Sequence, residues 1–216
     1  MVSGKPSGKR LRGVYLVTSV KRPVSKLVAI VEAALDGGVT MVQFRDKGEF
    51  FGTERIDAAR AIQGACRGRG APFLVNDDID LARRLDADGV HVGRGDPSPR
   101  IARSLLGPDA IVGVTVYGFP GEEDEARKAG ADYIAVGTFF PSATKPGKSV
   151  LPLSILDDVV ARSGLPVFAI GGITAERAGI LVRHGISGVA VVSAIMDAMD
   201  PRLAARAICG AFERGA

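Results

Sequence analysis

The chain has 216 residues, of which 46% are hydrophobic and 24% charged, and its formal net charge is +4. This composition supplies one sizeable core and excludes a disordered chain, while a mild positive charge with only 6% aromatic residues argues against nucleic-acid binding. The cysteines Cys66 and Cys209 lack metal-ligand spacing, and no apolar stretch reaches transmembrane length. We therefore predict one cytoplasmic domain that acts on small anionic molecules and binds neither nucleic acid nor membrane.

Short β-type runs alternate with longer helical patterns after a basic leader, residues 1–13, which we expect to be flexible. Eight β–α units in a chain of this length predict an α/β fold, a single (β/α)8 TIM barrel over residues 14–216. An open doubly wound sheet is the alternative, but no glycine-rich dinucleotide motif follows the first run. The eight runs are Val14–Ser19, Met41–Asp46, Pro72–Asp77, Gly89–Gly93, Ile111–Val116, Tyr133–Gly137, Val167–Ile173 and Gly188–Ile195.

The second run has a polar face. Residues two apart in a strand share a face, so Gln43, Arg45 and Lys47 point together, away from Val42 and Phe44. In an antiparallel edge strand such a face would simply be solvated. Because helical patterns flank this run on both sides, we expect a covered parallel strand whose cations need an anionic partner. A phosphorylated ligand is our hypothesis for that partner.

Polar residues also follow the other predicted strands at their carboxyl ends, where barrels of this kind place their active sites. Asp77 ends the third run and Asp96 follows the fourth, and each could be a turn or capping residue. On adjacent strand ends beside cations, they are candidate ligands for Mg²⁺, which usually takes one or two carboxylates together with phosphate oxygens. Asp78 is predicted instead to cap the third helix. Asn76, Thr115 and Ser193 are further polar side chains at these ends, and Gly171 and Gly172, with Ser193, fit the common phosphate site after the seventh and eighth strands, where backbone N–H groups hold an anion.

The loop from Phe139 to Lys148 places two hydroxyls beside a lysine on the same face of the barrel. It could be only a proline- and glycine-rich surface turn, but these residue types favour a phosphate clasp. The two histidines point away from acid–base catalysis. His91 falls inside a predicted strand, as a satisfied interior residue would, and His184 lies near a helix end. The predicted chemistry is therefore electrostatic stabilisation of phosphate groups.

Six motifs, in their order along the chain, resemble those of the thiamine-phosphate synthase family. The resemblance extends from the first predicted strand to the last helix. The family consists of (β/α)8 barrels that join hydroxymethylpyrimidine diphosphate to a thiazole phosphate and release diphosphate. The motifs are Gln43–Lys47, Asn76–Asp78, Gly89–Gly93 with Asp96, Pro141–Pro146, Ala169–Ile173 and Val191–Ile195.

The resemblance implies a role for each matching residue and a dissociative, Mg²⁺-assisted reaction. Asp77 and Asp96 are expected to hold Mg²⁺, and Lys145, Arg45, Lys47 and Thr115 are expected to carry the catalysis. The residues expected to hold the pyrimidine diphosphate are Gln43, Arg45, Lys47, Asn76, Thr115 and Lys145. Those expected to hold the thiazole phosphate are Ser142, Ala143, Thr144, Gly172, Val192 and Ser193.

The sequence departs from the family pattern at several positions and leaves other functions open. Thr115 stands where serine is common, Thr138 where proline is common, and Tyr117 near a position often occupied by histidine. A thiazole tautomerase-like isomerase of the same barrel family, a sugar-phosphate isomerase and a non-catalytic sensor of thiamine precursors are the alternatives. The paired carboxylates and Lys145 argue against the tautomerase. A homodimer is possible for a barrel of this kind.

Overall fold

The computed structural model describes residues 11–19, 22–141, 147 and 149–215. Each of its eight strands pairs in parallel with the next along the chain, and the last pairs with the first, so the sheet closes into a barrel. The predicted (β/α)8 fold is confirmed. The strands are β1 (Gly13–Val17), β2 (Met41–Phe44), β3 (Phe73–Asn76), β4 (Gly89–Val92), β5 (Ile111–Val116), β6 (Tyr133–Val136), β7 (Val167–Ile170) and β8 (Gly188–Val191).

Helices connect successive strands and cover the outside of the barrel. None of the helices formed by the described residues is long and apolar enough to cross a membrane. The helices are α1 (Val24–Asp36), α2 (Thr53–Arg67), α3 (Ile79–Leu85), α4 (Pro99–Leu106), α5 (Glu122–Lys128), α6 (Ser154–Ser163), α7 (Ala175–Leu181), α8 (Ser193–Met196) and α9 (Pro201–Gly215), with a short 3-10 helix at Val182–His184.

Several predicted strands end earlier than the sequence pattern indicated. The strand predicted to reach Ile195 ends at Val191, and the apolar residues after it form helix α8. The strand predicted to reach Ile173 ends at Ile170, because Gly171 and Gly172 adopt φ values of 107° and 62°, which turn the chain away from the sheet. A short apolar run does not distinguish a strand from a buried helical turn, so the end of β8 was misplaced. Of the predicted leader, residues 1–10 lie outside the described residues.

The interior of the barrel is packed with aromatic rings that close its floor. Tyr15, Tyr133 and Phe168 are almost fully buried and meet edge to face, with ring centroids 5.3 to 6.0 Å apart. Room for two of these rings comes from glycines on neighbouring strands, because a Cβ at Gly113 would overlap the ring of Tyr133 and one at Gly188 would overlap Phe168. The cavity described below therefore opens at one end of the barrel and stops at this aromatic layer.

The register between strands β4 and β5 can be tested by a substitution at Gly89. A Cβ at this position would overlap the backbone carbonyl of Ile111 on the neighbouring strand β5, and a backbone atom cannot rotate away. We expect Gly89→Ala to lower the free energy of unfolding by about 3 kcal/mol, as overpacking does, in urea denaturation. The matched control is Gly64→Ala in helix α2, whose added methyl meets no atom within 4 Å, and which should be neutral or stabilising. Equal stability of both variants would contradict the register.

Candidate active site

A cavity of about 270 Å³ opens at the carboxyl ends of the strands and is walled by residues from all eight strand ends. Every predicted site residue that the structure describes lines it, although the sequence separates them by up to 150 positions. Ser142, Ala143, Thr144 and Lys145 lie outside the described residues. Those that line the cavity are Gln43, Arg45, Lys47, Asn76, Asp77, Asp96, Thr115, Gly172, Val192 and Ser193.

The polar residues of the second strand reach the cavity in a different way from the one predicted. Only Gln43 belongs to β2, which ends at Phe44, so the expected common strand face does not extend to Arg45 and Lys47. The backbone N–H of Arg45 donates to the Thr18 hydroxyl at 2.9 Å, which holds the start of the following loop against β1. No described carboxylate forms an ion pair with the Arg45 guanidinium, so its charge is available to a ligand.

Arg55, which the sequence reasoning did not single out, ties together the segments that carry these cations and the acidic residues. Its Nε lies 3.0 Å from the buried carboxylate of Asp46, and its Nη1 lies 2.6 Å from Asp78. Asp78 also accepts a hydrogen bond from the N–H of Leu81, which confirms it as the cap of α3. Burial raises the pKa of Asp78, but these hydrogen bonds outweigh it and hold the pKa below its usual range. The loop after β2 and the start of α3 are thereby fixed to each other.

Asp77 and Asp96 come together on the cavity wall beyond the ends of β3 and β4, as predicted, and each carboxyl group affects the pKa of the other. Lys47 Nζ lies 2.6 Å from Asp77 Oδ2, and Asp96 Oδ2 accepts from the Gly93 N–H at 2.8 Å. Burial raises the pKa of Asp77, but the hydrogen bonds from Lys47 and Asp96 bring it below its usual value. Burial and the neighbouring Asp77 raise the pKa of Asp96, although the Gly93 N–H opposes this.

This acidic pair fits a magnesium ion that takes its remaining ligands from substrate. Two adjacent carboxylates repel each other unless they share a proton or a cation, and one or two carboxylates are what Mg²⁺ usually takes from a protein. The described residues contain no group of three or more histidine, cysteine or acidic side chains able to hold a metal. Phosphate oxygens and water would complete the coordination of such an ion.

Opposite this acidic pair in the ring of strands, the loops after β6 and β7 pack closely together. A Cβ at Gly171 would overlap Thr138, and one at Gly172 would overlap the carbonyl groups of Phe140 and Pro141. Arg177, from the first turn of α7, donates to the Gly172 carbonyl and stacks over the ring of Phe140 at 4.7 Å. Glycine is therefore required at both positions for the loops after β6 and β7 to pack together. This packing keeps Gly172 on the cavity wall.

The aromatic floor of the cavity also carries hydrogen-bonded polar groups, and an aromatic ring lies at the rim; sequence reasoning missed both. His91 is buried and both ring nitrogens have partners, as predicted for an interior residue, yet it also lines the cavity. At the rim, the Arg94 guanidinium stacks over the Tyr117 ring at 4.2 Å and lies 2.8 Å from Glu122. No periodic signal marks these residues, since their contacts join different strand ends. His184 Nδ1 donates to Asp157 Oδ1 at 2.8 Å, outside this site.

A family model, curated relatives and a solved structure above 30% identity point to the same family. A family model described as thiamine monophosphate synthase matches residues 14–195. The thiamine-phosphate synthase of Azoarcus sp. (strain BH72) is 42% identical over 205 residues, which cover 95% of this chain and 99% of that protein. The thiamine-phosphate synthase of Chromobacterium violaceum is 43% identical and covers 94% and 97%. The solved structure of thiamine phosphate pyrophosphorylase from Pyrococcus furiosus matches with a TM-score of 0.83 at 34% identity, covering 95% and 96%.

Proposed function

We infer, because the chain belongs to the thiamine monophosphate synthase family, that it catalyses the thiamine-phosphate synthase reaction of thiamine biosynthesis. This transferase reaction joins 4-amino-5-hydroxymethyl-2-methylpyrimidine diphosphate to 4-methyl-5-(2-phosphooxyethyl)thiazole and yields thiamine phosphate and diphosphate. The observation that carries the inference is the convergence in one cavity of the cations Arg45 and Lys47 with the carboxylates Asp77 and Asp96.

The bond that breaks joins the pyrimidine methylene carbon to a diphosphate oxygen, and its electron pair leaves with the diphosphate. Arg45 and Lys47 line the cavity and would bind that developing negative charge, and preorganised charges of this kind are often the largest contribution to catalysis. Lys47 already neutralises Asp77 and would exchange part of that contact for a phosphate oxygen. Asn76 and Gln43 would orient the pyrimidine, and Lys145 would join the diphosphate site from the loop after β6.

Asp77 and Asp96 are the residues that would hold Mg²⁺. When bound, the ion would supply further neutralisation of the leaving diphosphate. The contribution of the chain is to hold each of the two carboxylates in place. The Gly93 N–H holds Asp96, and the Arg55 link to Asp46 and Asp78 holds the segment that carries Asp77.

The second substrate would bind across the barrel axis from the acidic pair. Strands β7 and β8 lie opposite β3 and β4 in the eight-stranded ring, and Gly172, Val192 and Ser193 follow them. Together with Ser142, Ala143 and Thr144 they would hold the thiazole phosphate, at the position where such barrels commonly bind phosphate. The thiazole nitrogen then donates its lone pair to the methylene carbon and forms the new C–N bond. Positioning accelerates this step, and no strong base is required.

The decisive experiment measures diphosphate release by the purified protein with both substrates and Mg²⁺, and with each omitted in turn. We expect turnover only when all three are present, loss of turnover on chelation with EDTA, and its return on adding Mg²⁺. Diphosphate release without the thiazole substrate, or interconversion of thiazole tautomers alone, would contradict this function. Binding of both substrates without turnover would identify the sensor instead. Cytoplasmic location and a homodimer stay predictions, to be checked by fractionation and sedimentation.

A further inference from the structure

Five side chains form a continuous line of hydrogen bonds through the floor of the cavity. Gln43 Nε2 donates to the Tyr15 hydroxyl, and the Tyr133 hydroxyl donates to the same oxygen at 3.0 Å. His91 Nδ1 lies 2.9 Å from the Tyr133 hydroxyl, and His91 Nε2 lies 2.8 Å from the Thr115 hydroxyl. The line starts and ends at residues that face the cavity, and it crosses five different strands of the barrel.

The directions of these hydrogen bonds indicate which ring nitrogen of His91 carries a hydrogen. Burial raises the pKa of Tyr15 and Tyr133 well above the usual value, so each hydroxyl keeps its single hydrogen. Tyr133 uses its hydrogen for Tyr15, and its oxygen must therefore accept from His91 Nδ1–H. Burial of His91 in the barrel favours the neutral imidazole over the charged one. With its hydrogen on Nδ1, the neutral ring has a lone pair on Nε2, so the Thr115 hydroxyl donates to Nε2.

The consequence appears at the cavity wall. Because the only hydrogen of the Thr115 hydroxyl is used by His91, its oxygen can offer only lone pairs to a ligand in the cavity. We propose that His91, held by Tyr133, is a positioning residue that makes Thr115 an acceptor for the amino group of the pyrimidine substrate. This inference rests on the proposed function. As diphosphate leaves, positive charge spreads from the methylene carbon through the ring to that amino nitrogen, and the hydrogen bond that the amino N–H donates to the Thr115 oxygen strengthens.

Tyr133 acts on the ligand only through its neighbours. Among the described residues it is not part of the cavity wall, and it is fully buried beneath His91. Its ring packs at 5.3 Å against Phe168, and an added Cβ at Gly113 would overlap it. Packing therefore fixes the hydroxyl in place, so the Tyr133→Phe substitution removes one oxygen atom without changing any atom that the ligand contacts.

The test compares the pyrimidine diphosphate with an analogue that carries hydrogen in place of the 4-amino group. Calorimetry in the presence of Mg²⁺ should show that the wild-type protein prefers the amino ligand by about tenfold, the value of one neutral hydrogen bond. In Tyr133→Phe and His91→Leu we expect this preference to fall to about twofold or less. We also expect kcat of both variants to be about tenfold lower than that of the wild-type protein. His91→Gln, whose amide oxygen can accept from Thr115, should restore part of the preference.

Phe168→Leu is the packing control, because it loosens the contact with Tyr133 but leaves every atom of the hydrogen-bonded line. We expect it to lower thermal stability and keep the preference for the amino ligand. The inference would be overturned if the wild-type protein lacked that preference, or if Tyr133→Phe kept it in full. The proposed function would still stand in both cases, provided that the wild-type protein turns over both substrates. Failure of the wild-type protein to turn over both substrates would instead remove the proposed function, and this inference with it.

Discussion

Asp77→Asn is expected to lower kcat/KM of the two-substrate reaction by about three orders of magnitude, since a metal ion contributes several kcal/mol at a developing charge. The substitution removes one negative charge and keeps the shape of the side chain. Asp77 has a φ of 63°, and asparagine adopts this left-handed conformation as readily as aspartate does, so the backbone should not change. The loss should therefore report on the carboxylate alone.

Initial rates over a range of Mg²⁺ concentrations would show whether the ion is involved. We expect the concentration of Mg²⁺ that gives half-maximal rate to rise at least tenfold in Asp77→Asn, with a parallel rise in Asp96→Asn. Asp80→Asn is the matched control, because Asp80 lies three residues further on in α3 and its side chain is 74% exposed. It should retain full activity. Unchanged Mg²⁺ dependence in Asp77→Asn would show that the acidic pair does not hold the metal.

Arg45→Met should lower kcat/KM for the pyrimidine diphosphate by about 300-fold, which corresponds to the loss of two charge-assisted hydrogen bonds to phosphate. Both polar groups of the Arg45 backbone contact the Thr18 hydroxyl, and these contacts do not depend on the side chain. No described carboxylate pairs with this guanidinium, so its removal leaves no described acidic group without a partner. Arg45→Lys keeps the charge but loses the planar fork, and should recover only part of the activity.

Arg69→Met is the control for a general effect of lost positive charge. Arg69 pairs with Asp36 at 2.7 Å and Glu32 at 3.3 Å on helix α1, away from the cavity wall. Steady-state kinetics should show activity within about twofold of wild type, since an exposed ion pair contributes little. A similar loss of activity in both variants would mean that Arg45 acts through overall charge and not through contact with the diphosphate.

Much of the barrel could be predicted because the relevant signals are local. A parallel strand that is covered on both faces appears as a short run of β-branched residues, and the helix after it appears as an amphipathic pattern. Strand β5 was predicted with both boundaries correct, at Ile111 and Val116. The ends of β7 and β8 were not, because the turn at Gly171–Gly172 and helix α8 depend on neighbouring loops and not on the local run.

The candidate site, too, has features that the sequence predicted and features that it did not. Residues that follow a strand in sequence, such as Asp77 and Asp96, could be placed at the open end of the barrel from their order alone. The sequence by itself therefore determined the fold, the end of the barrel that carries the site and the kind of charge found there. Only the tertiary structure decided which groups touch: Arg55 between Asp46 and Asp78, and Tyr133 between His91 and Tyr15. The physical reason is that closing the barrel brings together side chains as far apart in sequence as Tyr15 and Tyr133, and their hydrogen bonds leave no periodic mark on either segment.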